Sequence, residues 1–174
     1  MDPKAVIEVF RSNIREHYFD PKGRVPRQEF WYFILASVVV SIGAALIDAI
    51  LGTRLLNTLV GLALLLPTTG LGIRRLQDIG RNGTLVWIGA GLYAVLLVLS
   101  LIGLFVITSA AYGPYGYAPY AVSAGAVMFG GLVTLVSLAN LVVAVVLIYF
   151  WTQPGVAGPN QYGPDPKEAA APPA

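Results

Sequence analysis

Four long apolar runs determine what this chain can fold into. They occupy residues 30–51, 55–73, 85–107 and 121–151, and their one charged residue is Asp48, near the far end of the first run. A helix needs about 20 apolar residues to cross the roughly 30 Å hydrocarbon core of a bilayer, so each run can span it. Charged residues make up 11% of the chain, against about 25% in soluble domains. The sequence therefore predicts an all-α integral membrane protein, a bundle of four transmembrane helices.

Two of the runs and one connection have irregular features. Pro67 lacks a backbone N–H and should kink the second helix, and Thr68 or Thr69 should satisfy the backbone groups that it leaves unpaired. The fourth run exceeds the length of one span, so part of it should be tilted, interfacial or irregular. The connection TSAAYGPYGYAPY (residues 108–120) combines proline, glycine and tyrosine, which predicts a non-helical loop at the outer membrane surface.

The two terminal segments have different character. Residues 1–29 begin with Asp2 and Pro3, a pair typical of a helix start, and apolar residues follow at a spacing of four. This pattern predicts an amphipathic helix to about Tyr18, which either lies on an anionic membrane surface or packs against the bundle. No removable signal peptide is expected. Residues 152–174 are rich in proline and glycine and should form a flexible, extended tail.

Basic residues are unevenly distributed between the connections. Six of them precede the first run and three lie between the second and third, whereas the connection between the first and second runs has one, Arg54. Membrane proteins retain Lys and Arg on the cytoplasmic side. The N-terminus, the connection between the second and third helices and the tail are therefore predicted to be cytoplasmic.

Three polar segments carry a resemblance to a known family. GRVPRQEFW (residues 23–31), RRLQDIGRNG (74–83) and GPNQYGPDP (158–166) stand before the first run, between the second and third, and after the fourth. In sequence and in order they resemble the landmark segments of the DUF805 family, small bacterial inner-membrane proteins without an established activity. The resemblance covers about residues 18–167 and implies a multi-pass protein of the bacterial inner (plasma) membrane.

Two positions depart from the family pattern. Gln77 stands where the family usually has a histidine, and Thr84 with Leu85 stands where a tryptophan pair is usual. Any proton-transfer or ligand role of that histidine is therefore not carried over to this chain.

The same segments contain the charged residues that could form a site. Asp78 follows Arg75 by three residues and Arg74 by four, the spacings at which side chains pair on a helix. Arginine binds phosphate through two parallel hydrogen bonds, so the surplus of arginine at headgroup depth could hold an anionic lipid or a phosphate. The alternative is that these charges only fix topology and join the first two helices. The candidates for either role are Arg24, Arg27, Glu29, Arg74, Arg75, Asp78 and Arg81.

Other polar residues predict local structure. Asp48 and Arg54 should form an ion pair at the turn between the first two helices, and Asn140 should hydrogen-bond across helices. His17 is the single histidine and has no partners at metal-ligand spacing, so neither a metal site nor a cofactor is predicted. Small residues at a spacing of four predict packing seams, within one chain or between two; they are Ser37, Ser41, Ala45 and Ala49, and then Ala126, Gly130 and Thr134.

No motif of a known catalytic site occurs, so an enzyme is not expected. The prediction is a non-enzymatic inner-membrane protein that acts in membrane-associated binding or envelope function through a cytoplasmic arginine-rich interface. The alternative is a small oligomeric transporter or channel for a neutral or zwitterionic solute. Expected partners are membrane lipids, anionic ones in particular, and a second copy or another membrane protein. Nucleic acid is not expected, because basic and acidic residues nearly balance at a net charge of +2.

Overall fold

The structure is a computed structural model that describes residues 2–112 and 124–169. Within these ranges the chain forms six helices: α1 Pro3–Arg15, α2 Arg27–Leu51, α3 Leu55–Asp78, α4 Thr84–Tyr112, α5 Ala124–Thr152 and α6 Pro166–Ala169. Helices α2 to α5 are each long and apolar enough to cross a membrane. The predicted class, an all-α membrane protein with a four-helix transmembrane bundle and an amphipathic N-terminal helix, is confirmed.

The second transmembrane helix, α3, is longer than its apolar run. Helix α3 continues past Ile73, where the apolar run ends, to Asp78, so Arg74 and Arg75 belong to the helix and not to a loop. Its end is set by Gly80, which has a left-handed φ of 75°. The Gly80 N–H donates to the Gln77 carbonyl at 3.0 Å and the Arg81 N–H donates to the Leu76 carbonyl at 2.9 Å. These two bonds form a Schellman motif, which fixes the direction of the chain after α3.

The connection between α4 and α5 differs in part from expectation. Residues 108–112 continue α4 as helix, so a non-helical loop from residue 108 onward is wrong for these five positions. Residues 113–123, which hold the rest of the predicted outer-surface loop, lie outside the described ranges.

The transmembrane helices pack in chain order. Helix α2 packs on α3, α3 on α4, and α4 on α5. The start of α2, the end of α3, the start of α4 and the end of α5 lie together, and this end of the bundle is called the charged end. Helix α3 is the most buried of the four, because it contacts all three of the others, α2, α4 and α5.

Helix α1 packs against the bundle at the charged end. Asp2 caps it by accepting a hydrogen bond from the Lys4 N–H at 2.9 Å. Phe10 stacks on Phe33 of α2 with 5.4 Å between ring centroids, and Asn13 is buried against α3. Of the two positions proposed for the amphipathic helix, packing against the bundle is the one that the structure contains.

Pro67 leaves the Ala63 carbonyl of α3 without its helical donor, since proline has no N–H. The partner of this carbonyl is the hydroxyl of Tyr18, which donates to it at 2.7 Å. Thr69 instead donates to the Leu65 carbonyl at 2.6 Å. The expectation that a neighbouring threonine satisfies the freed group is therefore wrong at Ala63, where a tyrosine from the segment after α1 reaches across.

Asp48 does not pair with Arg54 in the described part of the chain, so the predicted ion pair is wrong. Its carboxylate accepts hydrogen bonds from the backbone N–H groups of Asn57 at 2.7 Å and Leu56 at 3.2 Å, and from the Thr53 hydroxyl. The first N–H groups of a helix lack helical partners and carry the positive end of its dipole, so they attract a carboxylate. Asp48 thereby caps α3.

Candidate functional site

The chain after α5 folds back over the charged end, so the prediction of an extended tail is wrong for residues 153–165. The Val156 N–H donates to the Asp78 carbonyl at 2.9 Å, and the Asn160 side-chain amide donates to the Gln77 carbonyl at 3.0 Å. Asn160 and Gly163 exchange two backbone hydrogen bonds and close a tight turn. A segment rich in proline and glycine has many unpaired carbonyls, and the charged end supplies their donors.

Arg24, Arg75 and Asp78 form a buried arginine cluster beneath this tail. Arg24 Nε lies 3.1 Å from Asp78 Oδ1, and Arg75 Nη1 donates to Asp78 Oδ2. The three side chains are 1%, 0% and 5% exposed, respectively. Of the two spacings that the sequence allowed, the arginine three residues before Asp78 forms the pair.

The remaining guanidinium donors of the cluster bind backbone carbonyls. Arg24 donates to Val156 and, at 2.6 Å, to Gly158. Arg75 donates to Trp151, at 3.1 Å, and to Gln153. Trp151 and Gln153 lie at the end of α5, where carbonyls lack helical partners and the helix dipole is negative. The cluster therefore satisfies the end of one transmembrane helix and the tail that follows it.

The electrostatics of the cluster explain its geometry. Two arginines and one aspartate leave one surplus positive charge, and a buried charge without partners destabilises a fold strongly. The carbonyl oxygens supply the missing negative poles around both guanidinium groups. Because these donors are used within the chain, Arg24 and Arg75 have little capacity left for a lipid phosphate.

Arg74 lies on the side of α3 that faces α1, and Glu29 lies in the first turn of α2. Arg74 donates to the Asn13 side-chain oxygen at 2.9 Å, and the carboxylates of Asp20 and Glu29 lie close enough to stabilise its charge. Its Nε and the Oε1 of Gln77 are buried without a hydrogen-bond partner among the described residues.

Arg27 and Arg81 are the exposed members of the predicted set. Arg27 Nη1 donates to the Thr152 carbonyl at 3.3 Å and so links the start of α2 to the end of α5. The guanidinium of Arg81 lies over the ring of Phe150, 4.2 Å from its centroid. The seven candidates therefore do not form one site, because they divide between the buried cluster, the α1 contact and two separate exposed positions.

A groove separates α2 from α5 within the transmembrane bundle. Its volume is about 650 Å³, and α3 and α4 form its back wall. The lining is mainly aliphatic, with a few polar groups such as Ser41, Asn57 and Asn140. Asn140 donates to the Gly89 carbonyl of α4 at 3.1 Å, so its predicted bond across helices is confirmed. The first small-residue stripe contributes Ser37, Ser41 and Ala45 to this groove.

Trp151 lines the groove at the charged end. Its ring lies 4.7 Å from that of Phe30 on α2, and its indole N–H donates to the Gly72 carbonyl at 3.2 Å. A Cβ at Gly72 would lie 3.0 Å from the indole ring, so glycine permits this close approach. Arg27 lies one helical turn before Trp31, which also lines the groove. The charged end of the groove is thus lined by two tryptophans, and the exposed Arg27 lies beyond them, bonded to Thr152.

Comparison with known proteins agrees with this arrangement of segments. The family described as "Protein of unknown function (DUF805)" matches residues 18–164. The chain belongs to the DUF805 family. The match begins at Tyr18 and ends at Pro164, so it includes the segment before α2, the arginine cluster and the docked tail.

Two curated relatives of this DUF805 chain are proteins of Escherichia coli (strain K12). Inner membrane protein YhaH is 25% identical over 160 residues, which cover 88% of this chain and 93% of YhaH. Inner membrane protein YhaI is 28% identical over 157 residues, which cover 89% of this chain and 92% of YhaI. No solved structure matches the chain. This DUF805 protein is accordingly a multi-pass inner-membrane protein, and neither relative's name states an activity.

Several residues that build this DUF805 site were not among the sequence candidates. Asn13, Tyr18, Trp151 and Asn160 hold the cluster, α3 and the tail together. Asn13 and Trp151 are marked in the sequence only by their types, a polar residue on an apolar helix face and an aromatic residue at the end of a span. Asn160 lies in the third landmark segment, and membership of that segment is the sequence feature that could identify it.

Asp165 is a further residue of this kind. Its carboxylate accepts hydrogen bonds from the Lys167 N–H at 2.9 Å and the Gly158 N–H at 3.0 Å. The bond from Lys167, then the bond from Gly158 and the nearby charges of Arg24 and Lys167, outweigh its partial desolvation and lower the pKa of Asp165. It stabilises the tail as an ionised group.

Proposed function

We propose that this protein is a non-enzymatic phospholipid-binding protein of the bacterial inner membrane. The groove between α2 and α5 takes an acyl chain of the lipid, and Arg27, just beyond the charged end of the groove, contacts an anionic headgroup. The observation that carries this proposal is the groove itself, an apolar cavity of about 650 Å³, with the exposed Arg27 one helical turn before Trp31 of its lining.

An acyl chain fits the groove for three reasons. The helices that form it span the membrane, so hydrocarbon surrounds them. Binding sites for small ligands have volumes of roughly 300 to 1,000 Å³, and their walls are mainly apolar with a few polar groups. A helix, which with its side chains is about 10 to 12 Å across, is too wide for the groove, because Trp151 and Phe30 already join α2 and α5 at the charged end.

Arg27 suits the headgroup because most of its donors are free. A guanidinium has five N–H donors in a fork that matches two phosphate oxygens. One bond of Arg27, to the Thr152 carbonyl, occurs in the described chain. Trp31 and Trp151 beside it are residues typical of the membrane interface. Of the predicted arginine set, Arg27 is therefore assigned the headgroup contact, and the buried cluster is assigned a structural role.

The proposal includes an orientation, with the charged end on the cytoplasmic side. Nine basic residues before the first run and between the second and third support it through the positive-inside rule. Single cysteines at Ser12 and Asn82 should resist a membrane-impermeant thiol reagent in intact cells, and one at Tyr115 should react. Labelling of the Asn82 cysteine from outside would reverse the orientation.

The test of lipid binding is native mass spectrometry of the protein purified in mild detergent. Wild type should retain one phospholipid per chain. Ala144→Phe fills the groove from α5 and should lose it, while Ala139→Phe, the same change at an exposed position of α5 outside the groove, should retain it. Equal retention by both variants would overturn the proposal, and so would a dimer that forms in place of the lipid adduct.

The headgroup contact has its own test. Arg27→Gln should reduce the preference for phosphatidylglycerol over phosphatidylcholine about tenfold, because a hydrogen bond to a charged group contributes roughly 1.5 to 3 kcal/mol. Arg11→Gln removes the same charge from an exposed position of α1 and should leave the preference unchanged. An identical preference in wild type and Arg27→Gln would exclude Arg27 as the headgroup ligand.

A second candidate is transport of a neutral or zwitterionic solute, which the polar groups of the groove favour. Ser41, Asn57 and Asn140 could bind such a solute without a charge. Liposomes that contain the protein should then take up small zwitterions faster than empty liposomes, and Ala144→Phe should block the uptake. Lipid retention without uptake would support the first candidate.

A further inference from the structure

A second cavity lies at the charged end, beside the tight turn of the tail. It has a volume of about 390 Å³ and is bordered by the loop between α3 and α4, the end of α5 and the tight turn of the tail. Its floor consists of Leu76, Leu85 and Phe150, and its rim carries Arg81, Gln161 and Tyr162. None of these residues lines the groove between α2 and α5.

The walls of this cavity are held by contacts already described. The Schellman motif at the end of α3 fixes the backbone of Arg81. On the opposite wall, Gln161 and Tyr162 form the tip of the turn that Asn160 and Gly163 close, and the Asn160 amide attaches this turn to α3. The rim side chains therefore belong to two hydrogen-bonded turns on opposite walls of the cavity.

Arg81 is available to a ligand. Its guanidinium lies on the Phe150 ring, and within residues 2–112 and 124–169 its side chain has neither an ion pair nor a hydrogen bond. A guanidinium that stacks on an aromatic face keeps its N–H groups in the plane, where they can form a fork with an oxyanion. Stacking also limits the rotamers of the side chain, so less entropy is lost on binding.

The surroundings select an anion with an apolar part. No carboxylate lines the cavity as far as the chain is described, while Asn82 and Gln161 offer amide donors and Tyr162 a hydroxyl. The aliphatic and aromatic floor would cover an apolar group next to the charge. The volume is near the lower end of the range for small-molecule sites.

We infer that this cavity is a binding site for a small organic phosphate or carboxylate, held by Arg81 through its oxyanion and by the floor through its apolar part. The inference goes beyond the proposed lipid site, because it involves a different cavity. The same oxyanion chemistry could come from a soluble molecule or from a lipid headgroup at the membrane surface.

The test uses phenyl phosphate and inorganic phosphate as probes of the full chain in phosphatidylcholine nanodiscs, with binding followed by phosphorus NMR line broadening. Phenyl phosphate should bind saturably and about tenfold more tightly than inorganic phosphate, since its ring buries apolar surface on the floor. Arg81→Gln should weaken phenyl phosphate binding about tenfold to a hundredfold. Arg15→Gln, an exposed charge on α1, should not change it.

Two further variants keep the result interpretable. Gln161→Leu alters the rim at an exposed tail position and should weaken phenyl phosphate binding. It provides the test if Arg81→Gln fails to fold. Ala144→Phe should leave phenyl phosphate binding intact, so a failure of the groove proposal is distinguishable from a failure of this one.

Competition between phenyl phosphate and phosphatidylglycerol distinguishes a soluble anion from a lipid headgroup. If nanodiscs with phosphatidylglycerol abolish phenyl phosphate binding to wild type, the headgroup is the ligand, and if binding persists, the ligand is soluble. Equal affinity of wild type and Arg81→Gln, or the absence of saturable binding by either probe, would overturn the inference.

Discussion

The charged end and the middle of the bundle differ in how completely their side chains are packed. At the charged end, Arg24, Arg75 and Asp78 are almost completely buried, and carbonyls of α5 and the tail surround them. In the middle, α2 and α5 stand apart and leave a groove of about 650 Å³. The guanidinium and carboxylate groups of the buried cluster have partners within the chain, whereas apolar packing is incomplete in the middle of the bundle.

The difference has a physical reason. An unpaired charge or carbonyl near hydrocarbon is costly, so polar groups must find partners within the protein. Apolar side chains in a membrane have no such requirement, because lipid tails are as apolar as leucine. The helices can therefore remain separated where lipid can fill the gap. We expect substitutions to destabilise the fold most at the charged end and to change binding most at the groove.

The largest expected effect is that of Asp78→Asn. This change removes the one carboxylate between two buried arginines, and removing one partner of a buried ion pair typically destabilises by about 3 to 5 kcal/mol. The measurement is the free energy of unfolding in detergent. Glu8→Gln, at an exposed position of α1, should stay within about 0.5 kcal/mol of wild type. An equally small effect at Asp78 would mean that the cluster is not a structural element.

The second effect concerns the docking of the tail. A Cβ at Gly155 would lie 3.1 Å from Asp78 Oδ1 and still closer to the rest of that carboxylate, so Gly155→Ala should displace the tail and destabilise by about 1 to 3 kcal/mol. Limited proteolysis should then cleave the tail sooner than in wild type. Gly91→Ala, where a Cβ meets nothing within 4 Å, is the matched control. Unchanged proteolysis of Gly155→Ala would contradict tail docking.

A smaller effect is expected at the groove itself. Asn140→Leu removes the hydrogen bond to the Gly89 carbonyl, and bonds between transmembrane helices contribute on average about 0.6 kcal/mol. The unfolding free energy should fall by about that amount. Ser137→Ala, on the exposed side of α5, should have no effect. A loss of unfolding free energy as large as that of Asp78→Asn would contradict the proposed difference between the two regions.

The smallest effect is a pH dependence from Asp165. Its pKa is lowered in the folded protein from the ordinary value of 3.8, so the folded state favours the ionised carboxylate. The stability that Asp165 contributes is therefore complete above about pH 4 and is lost as the pH falls through the folded pKa. Asp165→Asn should flatten the unfolding profile below pH 4 and leave its shape above pH 5 unchanged. A profile that changes only above pH 5 would contradict this assignment.

The transmembrane architecture could be predicted because it depends on composition over about 20 residues, which single contacts do not alter. The end of α3 could not, because hydropathy ends at Ile73 whereas the helix ends at the left-handed Gly80. The two arginines after Ile73 consequently became part of a helix, and their side chains point about 100° apart. Arg75 therefore reaches Asp78 while Arg74 reaches α1.

The sequence predicts the three members of the buried cluster, but neither the separation of the other candidates from them nor the residues that join the cluster to α1 and the tail. Residue types and the three landmark segments identified Arg24, Arg75 and Asp78 as neighbours. The docking of the tail is not predictable from composition, because its contacts use backbone carbonyls, which every residue has. The groove left no signal either, since apolar positions that face a cavity and those that face lipid look the same in a sequence.

The measurement that tests the account most directly is the shift in unfolding temperature that phosphatidylglycerol causes in wild type, Arg75→Lys and Ala144→Phe. A lipid that binds the folded state must raise its stability. Arg75→Lys should melt lower than wild type, because lysine lacks the planar fork that holds the tail, yet its lipid-induced shift should equal that of wild type. Ala144→Phe should show no shift. A shift that disappears in Arg75→Lys and persists in Ala144→Phe would place the lipid at the arginine cluster and contradict the account.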